Sequence, residues 1–340
     1  MMTTAFHTNP RFAEHTQAGH PEHAGRQTAI LNRLSELELI ERMLPTDPRE
    51  VTEAEIRAAH RESLIATLKK VSEFTDPVMI GLDTYALPVS YEIARLAAGG
   101  LLNVVDAVLE GHADNGLAII RPPGHHATPN RPMGFCLLNN IAIAARYARQ
   151  RLERVAIVDF DVHHGNGTQD IFYDDPSVLF ISSHQSPLYP GTGDITETGS
   201  GQGQGATINI PVHPNTGNSA YRALYQEVVV PALQRFQPEL ILVSAGFDAH
   251  WRDPLAHIQL SLTAFADLTR LLITTAHELC GGRIIFVSEG GYDLEVLSEG
   301  MANVALALLG ESTVHDPLGM GMDTVSVTAL IQQLKRLHHL

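Results

Sequence analysis

The chain has 340 residues, of which 44% are hydrophobic, and it carries a formal net charge of −15 at neutral pH. This acidity argues against binding to nucleic acid, which needs a basic surface, and it suits a cationic substrate. Two isolated cysteines, no apolar run of membrane-spanning length and no signal-peptide pattern at the start predict a cytoplasmic protein without disulfides or membrane contact.

Short apolar segments alternate with longer segments of helical periodicity along the chain. The predicted strands span residues 77–82, 117–120, 155–160, 178–182, 207–211, 240–244 and 284–288. The predicted helices span residues 90–109, 139–152, 219–236, 262–279 and 294–309. This alternation predicts an α/β fold with a parallel sheet that helices cover on both faces. Because no linker divides the chain, we expect a single domain over residues 1–340.

Polar side chains follow four of the predicted strands directly. These strands lead, in chain order, to His125-His126, to Asp159-Phe160-Asp161-Val162-His163-His164, to Asp248 and to Glu289-Gly290-Gly291-Tyr292. Ligands of parallel α/β sheets bind beyond the carboxyl ends of the strands. The sequence therefore predicts a functional site at this edge of the sheet.

The segment after residue 158 has the residue types of a metal site. If the strand continued, Asp159, Asp161 and His163 would share one face, and carboxylates and an imidazole at this spacing can bind one divalent cation. A solvated strand end is the alternative interpretation. Asp161 and His163 are the favoured ligands, with Asp248 as the third. His164 faces the opposite way and is expected to form structural hydrogen bonds.

The remaining polar residues fit hydrolysis of a carbonyl compound beside such a metal. His125 and His126 can act on the attacking water, and Asp159 and Asn166 are available to set their tautomers. The phenol of Tyr292 can donate to a developing oxyanion. No GxSxG motif is present, and the glycine-rich segment 199–205 lacks the Lys and Thr of a phosphate loop. Metal-assisted hydrolysis is therefore the favoured chemistry.

Several ordered motifs resemble those of the zinc-dependent histone deacetylases, from His20 to beyond Tyr292. They are Arg121-Pro122-Pro123-Gly124-His125-His126-Ala127, Gly134-Phe135-Cys136, Asp159 to Thr168, Tyr189-Pro190-Gly191-Thr192-Gly193, Ala245 to His250, and Ser288 to Asp293. Asn166 after His-His-Gly is similar to the class II branch and its bacterial histone deacetylase-like amidohydrolases. The resemblance implies the arginase/deacetylase fold, a three-layer sandwich around a mainly parallel eight-stranded sheet.

The resemblance also implies roles for the site residues. One Zn²⁺ per chain would be bound by Asp161, His163 and Asp248. His126, paired with Asn166, would be the general acid and base, and His125, paired with Asp159, its electrostatic partner. Tyr292 would polarise the amide carbonyl.

A channel for the acyl-lysine is implied beside this centre. Gly134 and Phe135 would form one wall opposite Tyr189, with Leu255 and Gly291 also in the channel and Asp83 at its rim. Structural K⁺ or Na⁺ ions are implied at two further places. The first would involve Asp159, Asp161, His163, Ser182 and Ser183, and the second would lie near Phe172, Asp175 and Val178, both partly through main-chain carbonyls.

The expected substrate is acetyl-lysine or a similar small acylated amine. In the polyamine-specific branch a glutamate stands where this chain has Leu255, which favours acyl-lysine, whereas Asp83 and the acidic surface keep acetylpolyamines as the alternative. An arginase-like ureohydrolase and a non-catalytic acyl-lysine binder are minor alternatives. A homo-oligomer is compatible with the sequence.

Overall fold

The computed structural model of the chain describes residues 2–340. Eight strands form one sheet, and every pairing between neighbours is parallel. They are β1 (Thr4–His7), β2 (Leu44–Pro45), β5 (Asn115–Ala118), β6 (Val155–Asp159), β7 (Val178–Gln185), β8 (Thr207–Val212), β9 (Leu240–Ala245) and β10 (Ile284–Ser288). Their order across the sheet is β2-β1-β5-β10-β9-β6-β7-β8. A separate antiparallel pair is formed by β3 (Val78–Met79) and β4 (Tyr85–Ala86).

Helices cover both faces of the sheet. They are α1 (Ala24–Glu36), α2 (Glu53–Arg57), α3 (Glu62–Val71), α4 (Ser90–Leu109), α5 (Asn140–Ala148), α6 (Asn166–Phe172), α7 (Asn218–Leu224), α8 (Val230–Phe236), α9 (Leu262–Cys280), α10 (Leu294–Leu308) and α11 (Thr328–His338). Alternate residues of β6 enter two cores: Ala156 and Val158 pack with α1 and α7 to α11, and Val155 and Ile157 pack with α2 to α6. Both faces of a parallel strand are thus buried, which gives the predicted three-layer α/β sandwich.

Several boundaries differ from the sequence predictions. The predicted strand at 77–82 is wrong, because only Val78–Met79 is extended and it pairs with β4 outside the main sheet. The sheet is entirely rather than mainly parallel, and its strands β1 and β2 had not been predicted. The predicted helix 219–236 is divided by a π-helical turn at Tyr225–Val229. This turn lies just before Pro231, which has no N–H to donate to a regular helical hydrogen bond.

Both cysteines are buried as free thiols. Among the helices of residues 2–340, none combines the length and the apolar character that crossing a membrane requires.

Candidate active site

The four polar segments converge because the strands that precede them are neighbours. β5, β10, β9 and β6 lie side by side in the sheet, and all four are parallel. Their carboxyl ends therefore open on the same edge, as the sequence predicts.

Three of the predicted ligands meet at this edge. Candidate ligand atoms of Asp161, His163 and Asp248 all lie within 4.8 Å of one another. Nδ1 of His163 is 3.2 Å from Oδ1 of Asp161 and 3.1 Å from Oδ2 of Asp248. The strand ends at Asp159, so Asp161 and His163 lie in the following loop. The expectation that Asp159 shares their face within one strand is therefore wrong.

Backbone N–H groups hold the two carboxylates in place. Oδ2 of Asp161 accepts a hydrogen bond from the N–H of Gly290 at 2.8 Å, and Oδ1 of Asp248 accepts one from Val162 at 2.9 Å. Gly290 has to be glycine, since a Cβ there would lie 2.2 Å from Oδ2 of Asp248 and 2.5 Å from Oδ2 of Asp161.

The two buried carboxylates of Asp161 and Asp248 create a strongly negative environment that favours a bound cation. Both carboxylates are fully buried. Burial opposes protonation of His163, yet its hydrogen bonds to Asp161 and Asp248 and their charges raise its pKa to about 10. A divalent cation would compensate the two negative charges as a proton on His163 does. Two carboxylates with one imidazole are ligands that Zn²⁺ accepts. The donor set therefore fits a catalytic zinc with an open position.

The tandem histidines lie beside the three donors, with ring centroids 4.0 Å apart. Nδ1 of His125 is 3.0 Å from Oδ2 of Asp159, and Nδ1 of His126 is 2.8 Å from Oδ1 of Asn166. An amide oxygen only accepts hydrogen bonds, so Nδ1 of His126 carries a proton and Nε2 is left as the basic nitrogen.

The two histidines differ in their electrostatic surroundings. Burial lowers the pKa of His125, but the charges of Asp161 and Asp159 outweigh it and raise that pKa well above its usual value. For His126, burial and then the charges of His125 and His163 lower the pKa well below its usual value. His125 is thus the histidine that holds a proton, and His126 is the one that remains neutral.

Glu289 fixes the backbone of the loop that carries the tandem histidines, a role that its place in the sequence did not predict. Its Oε2 accepts hydrogen bonds from the N–H groups of Gly124 at 2.7 Å and His125 at 3.3 Å. The residue is buried at the end of β10. A carboxylate directly after an apolar strand was the available signal, but its partners are distant in the sequence.

A cavity of about 240 Å³ leads to the donors from the surface. It is lined by Asp83, His126, Gly134, Phe135, His163, Leu188, Tyr189, Leu255 and Tyr292. Leu188 was not anticipated. Gly291, expected in the channel, is absent from this lining; its carbonyl accepts a hydrogen bond from Nε of Arg26 at 2.8 Å.

Aromatic rings line the channel and contact one another in pairs. Tyr189 meets His126 edge to face with centroids 5.1 Å apart, and Phe135 meets Tyr292 in the same way at 5.9 Å. Burial raises the pKa of Tyr292 well above its usual value, so the phenol stays protonated. The N–H of Tyr292 donates to Oδ2 of Asp253 at 2.8 Å. At the rim, Oδ1 of Asp83 accepts from the N–H of Gly134 at 3.1 Å.

The residues expected around monovalent cations have other partners as well. Asp159 pairs with Ser182 in the sheet, and Oγ of Ser183 donates to the carbonyl of Asp159 at 3.4 Å, so the first set is brought together. In the second, the carboxylate of Asp175 forms an ion pair with Arg146. The N–H of Asp175 donates to the carbonyl of Phe172 at 3.0 Å, and Val178 begins β7.

His164 forms the structural hydrogen bonds expected of it. Its Nδ1 is 2.8 Å from Oγ1 of Thr192 and its Nε2 is 3.0 Å from Oε1 of Gln169. It thereby ties the loop after β6 to the segment that carries Tyr189.

Comparison with known proteins agrees with this geometry. Residues 20–308 match the model of the histone deacetylase domain. The chain is 40% identical to a histone deacetylase-like amidohydrolase of Pseudomonas aeruginosa, over 88% of this chain and 80% of that protein. It is 41% identical to the human polyamine deacetylase HDAC10 over 85% of this chain, but it spans only 45% of that protein. The crystal structure of the HDA15 HD domain superposes with a TM-score of 0.91 at 35% identity, covering 99% of this chain and 94% of that one. The chain therefore belongs to the histone deacetylase family of amide hydrolases.

Proposed function

We propose that the protein is a zinc-dependent deacylase that hydrolyses the amide of acetyl-lysine, or of a similar acylated primary amine, to the free amine and acetate. One observation carries the proposal. Three buried metal donors lie beside the tandem histidines, and His126, His163 and Tyr292 bring this group to the wall of one channel.

Zinc held by Asp161, His163 and Asp248 would supply Lewis-acid polarisation of the amide carbonyl and of water. Nε2 of His126 accepts the proton of the attacking water, because Asn166 keeps the other nitrogen protonated. The same nitrogen then returns the proton to the leaving amine. The positive charge on His125, which Asp159 supports, stabilises the negative charge that develops nearby.

Tyr292 donates its phenolic hydrogen to the carbonyl oxygen as that oxygen becomes negative. Asp253 and Arg26 position it: the carboxylate holds its N–H, and the guanidinium lies 5.0 Å from the centroid of its ring. Release of acetate and the amine completes the reaction.

The channel walls favour a lysine side chain as the acyl carrier. Phe135, Tyr189 and Leu255 present apolar surface to the methylene stem, while Asp83 offers a carboxylate at the rim for the substrate backbone or amine. We further propose that K⁺ or Na⁺ binds near Asp159 and Ser182 and near Phe172, through main-chain carbonyls.

Acetylpolyamine hydrolysis is the second candidate. Asp83 at the rim supports it, as does the similarity to a relative named a polyamine deacetylase, whereas the apolar Leu255 does not offer a distant ammonium a partner. Turnover of acetyl-lysine peptides by the zinc-loaded enzyme should exceed that of N-acetylated polyamines. If N-acetylated polyamines were turned over faster than acetyl-lysine peptides, acetylpolyamine hydrolysis would become the proposed function. Hydrolysis of arginine with two metals bound per chain would contradict both candidates.

The roles of metal and phenol are separable by mutation. Tyr292→Phe should lower kcat on an acetyl-lysine peptide by about 10²- to 10³-fold while zinc content stays near one per chain, because only the oxyanion donor is lost. Asp248→Ala should lose both activity and zinc. Zinc content by elemental analysis beside kcat measures the difference, and an active, fully zinc-loaded Asp248→Ala enzyme would refute the ligand assignment.

A further inference from the structure

A polar groove continues from the mouth of the substrate channel. Its volume is about 640 Å³, and its walls include Met133 and Pro190, the chain neighbours of the channel residues Gly134 and Tyr189. A cavity of about 490 Å³ joins the two. It shares Asp83 and Tyr189 with the channel, and Arg131, Met133 and Pro190 with the groove. The channel, this cavity and the groove therefore lie next to one another at the surface.

Two arginines without partners line this groove. The guanidinium groups of Arg61 and Arg131 are exposed, and neither forms an ion pair or a hydrogen bond with the protein. Within residues 2–340 the same holds for one other arginine, Arg336, whereas all the rest bind a carboxylate, a hydroxyl or a carbonyl. Two of the three unpartnered guanidinium groups thus lie in this groove, and Arg131 also lines the cavity next to the channel mouth.

The groove also contains the acidic residues Asp170 and Glu197, but neither forms an ion pair with Arg61 or Arg131. Oε2 of Glu197 already accepts hydrogen bonds from Nε2 of Gln169 at 2.6 Å and from the N–H of Gly193 at 3.3 Å. Asp170 also lines the groove, and the charge of Arg131 acts on its carboxylate at a distance, but the two side chains form no ion pair or hydrogen bond. In a chain with a net charge of −15, positive groups left unpaired here are unsuited to a polycationic substrate.

We propose that this arginine groove, defined by Arg61 and Arg131, binds an acidic side chain that flanks the acyl-lysine of a peptide or protein substrate. The inference rests on the proposed deacylase function and narrows its substrate class. Guanidinium groups bind carboxylates through paired hydrogen bonds. An extended peptide whose acyl-lysine occupies the channel passes Asp83 and Tyr189 and brings its neighbouring residues to Arg131.

Binding and turnover of paired peptides test the groove. Acetyl-lysine peptides that carry Asp at successive positions on either side are compared with the same peptides carrying Asn. For at least one position, we expect Asp to be preferred by about two- to fivefold in Kd, measured on zinc-loaded Tyr292→Phe protein, and in kcat/KM of the wild type, as is typical of an exposed charge pair. The preference should fall as ionic strength rises.

Substitutions that change the charge of groove residues test whether the preference for Asp arises there. Arg131→Gln and Arg61→Gln should each reduce the preference for Asp while turnover of the Asn peptides stays unchanged. Arg131→Glu should prefer Lys over Asp at the same position. Asp170→Asn should strengthen the preference, because a competing carboxylate is removed. Arg336→Gln is the matched control, since that arginine is also unpartnered but lies on α11, and it should leave the preference intact.

The outcomes for the groove and for the proposed function are distinguishable. Absence of turnover on every peptide, with tighter binding of the Asp peptide that depends on Arg131, would reject the deacylase and support the groove. Turnover with equal Kd and kcat/KM for Asp and Asn at all positions would reject the groove and keep the deacylase. A preference for Asp that survives in the Arg61→Gln, Arg131→Gln double variant would also overturn the groove, as would failure to bind any of the peptides.

Discussion

At the scale of single residues, Asn166 decides which nitrogen of His126 is basic. Its amide oxygen lies 2.8 Å from Nδ1 of His126 and accepts the hydrogen bond that keeps this nitrogen protonated. Asn166→Ala frees the ring to take the other tautomer, so kcat should fall by about 10- to 100-fold. Zinc content should stay near one per chain, because Asn166 contacts none of the three donors. Unchanged kcat would show that His126 needs no partner to set its tautomer.

Gly290 illustrates how closely the backbone approaches the metal donors. Gly290→Ala would place a Cβ against both carboxylates, at 2.2 and 2.5 Å, so Asp161 and Asp248 would have to move. We expect zinc affinity to fall by at least about tenfold, in line with changes around metal ligands. Competition with a chelator measures this affinity. Gly81→Ala is the control, since its Cβ would meet Thr84 at an ordinary 3.5 Å, and an equal loss in both variants would contradict the prediction.

At the scale of secondary-structure elements, a buried ion pair joins the segment before α1 to the loop after β5. Arg121 binds Glu22 through two hydrogen bonds of 2.8 Å, and both side chains are buried. Burial by itself would raise the pKa of Glu22, but the charge and hydrogen bonds of Arg121 outweigh it and lower that pKa to about 2. The pair thus anchors the chain just before the loop that carries His125 and His126.

This pair makes stability depend on pH in a defined direction. Because the folded-state pKa of Glu22 lies below its unfolded value of 4.5, its stabilisation is complete above pH 4.5. It is lost as pH falls through the folded pKa of about 2. Glu22→Gln should lower the free energy of unfolding at pH 7 by about 3–5 kcal/mol.

The loss caused by Glu22→Gln should shrink between pH 4.5 and 2, because the wild type gives up on the order of 3 kcal/mol over that interval. Denaturant unfolding of chelator-treated protein measures it without a contribution from the metal. Glu36→Gln, which removes an exposed partner of Arg33, should cost less than about 1 kcal/mol at every pH. A pH-independent loss for Glu22→Gln would contradict the pKa assignment.

At the scale of the whole molecule, the candidate metal site joins loops from three neighbouring strands. Asp161 and His163 follow β6, Asp248 follows β9, and Gly290 follows β10. A cation at this point therefore stabilises the folded chain only, since the donors are scattered in the unfolded one. Chelation should lower Tm and added zinc should restore it. At a thousandfold excess over Kd, zinc contributes about 4 kcal/mol, which is on the order of 5 °C here.

Calorimetric scans of the wild type and of Asp248→Ala measure this coupling. The variant lacks one ligand, so zinc should leave its Tm nearly unchanged. An equal rise in Tm for both proteins would place the stabilising metal elsewhere in the molecule.

The sequence alone was sufficient to predict the bounds of the most strongly apolar strands and of the longest amphipathic helices. The strands at 240–244 and 284–288 and the helices at 90–109, 262–279 and 294–309 agree with the structure to within about one residue, because their hydrophobic periodicity is a local property. Thr4–His7 was missed since its ends are polar, and only pairing with β2 and β5 makes it a strand. The apolar segment 77–82 lacks such neighbours and remains outside the sheet.

For the site, the residue types after each strand were sufficient to predict a chemistry. Paired carboxylates, tandem histidines and a tyrosine at strand ends predict metal-assisted hydrolysis whatever the loop geometry. Only the tertiary structure decided which atoms meet. The strand ends at Asp159, Glu289 accepts a hydrogen bond from the N–H of His125, and Leu188 joins the channel lining. Two unpartnered arginines line a groove near the channel mouth. The chemistry of the residues and their hydrophobic periodicity are properties of short segments, so the sequence shows them directly. Contacts between distant loops depend on the order of the strands in the sheet, and no short segment of the sequence determines that order.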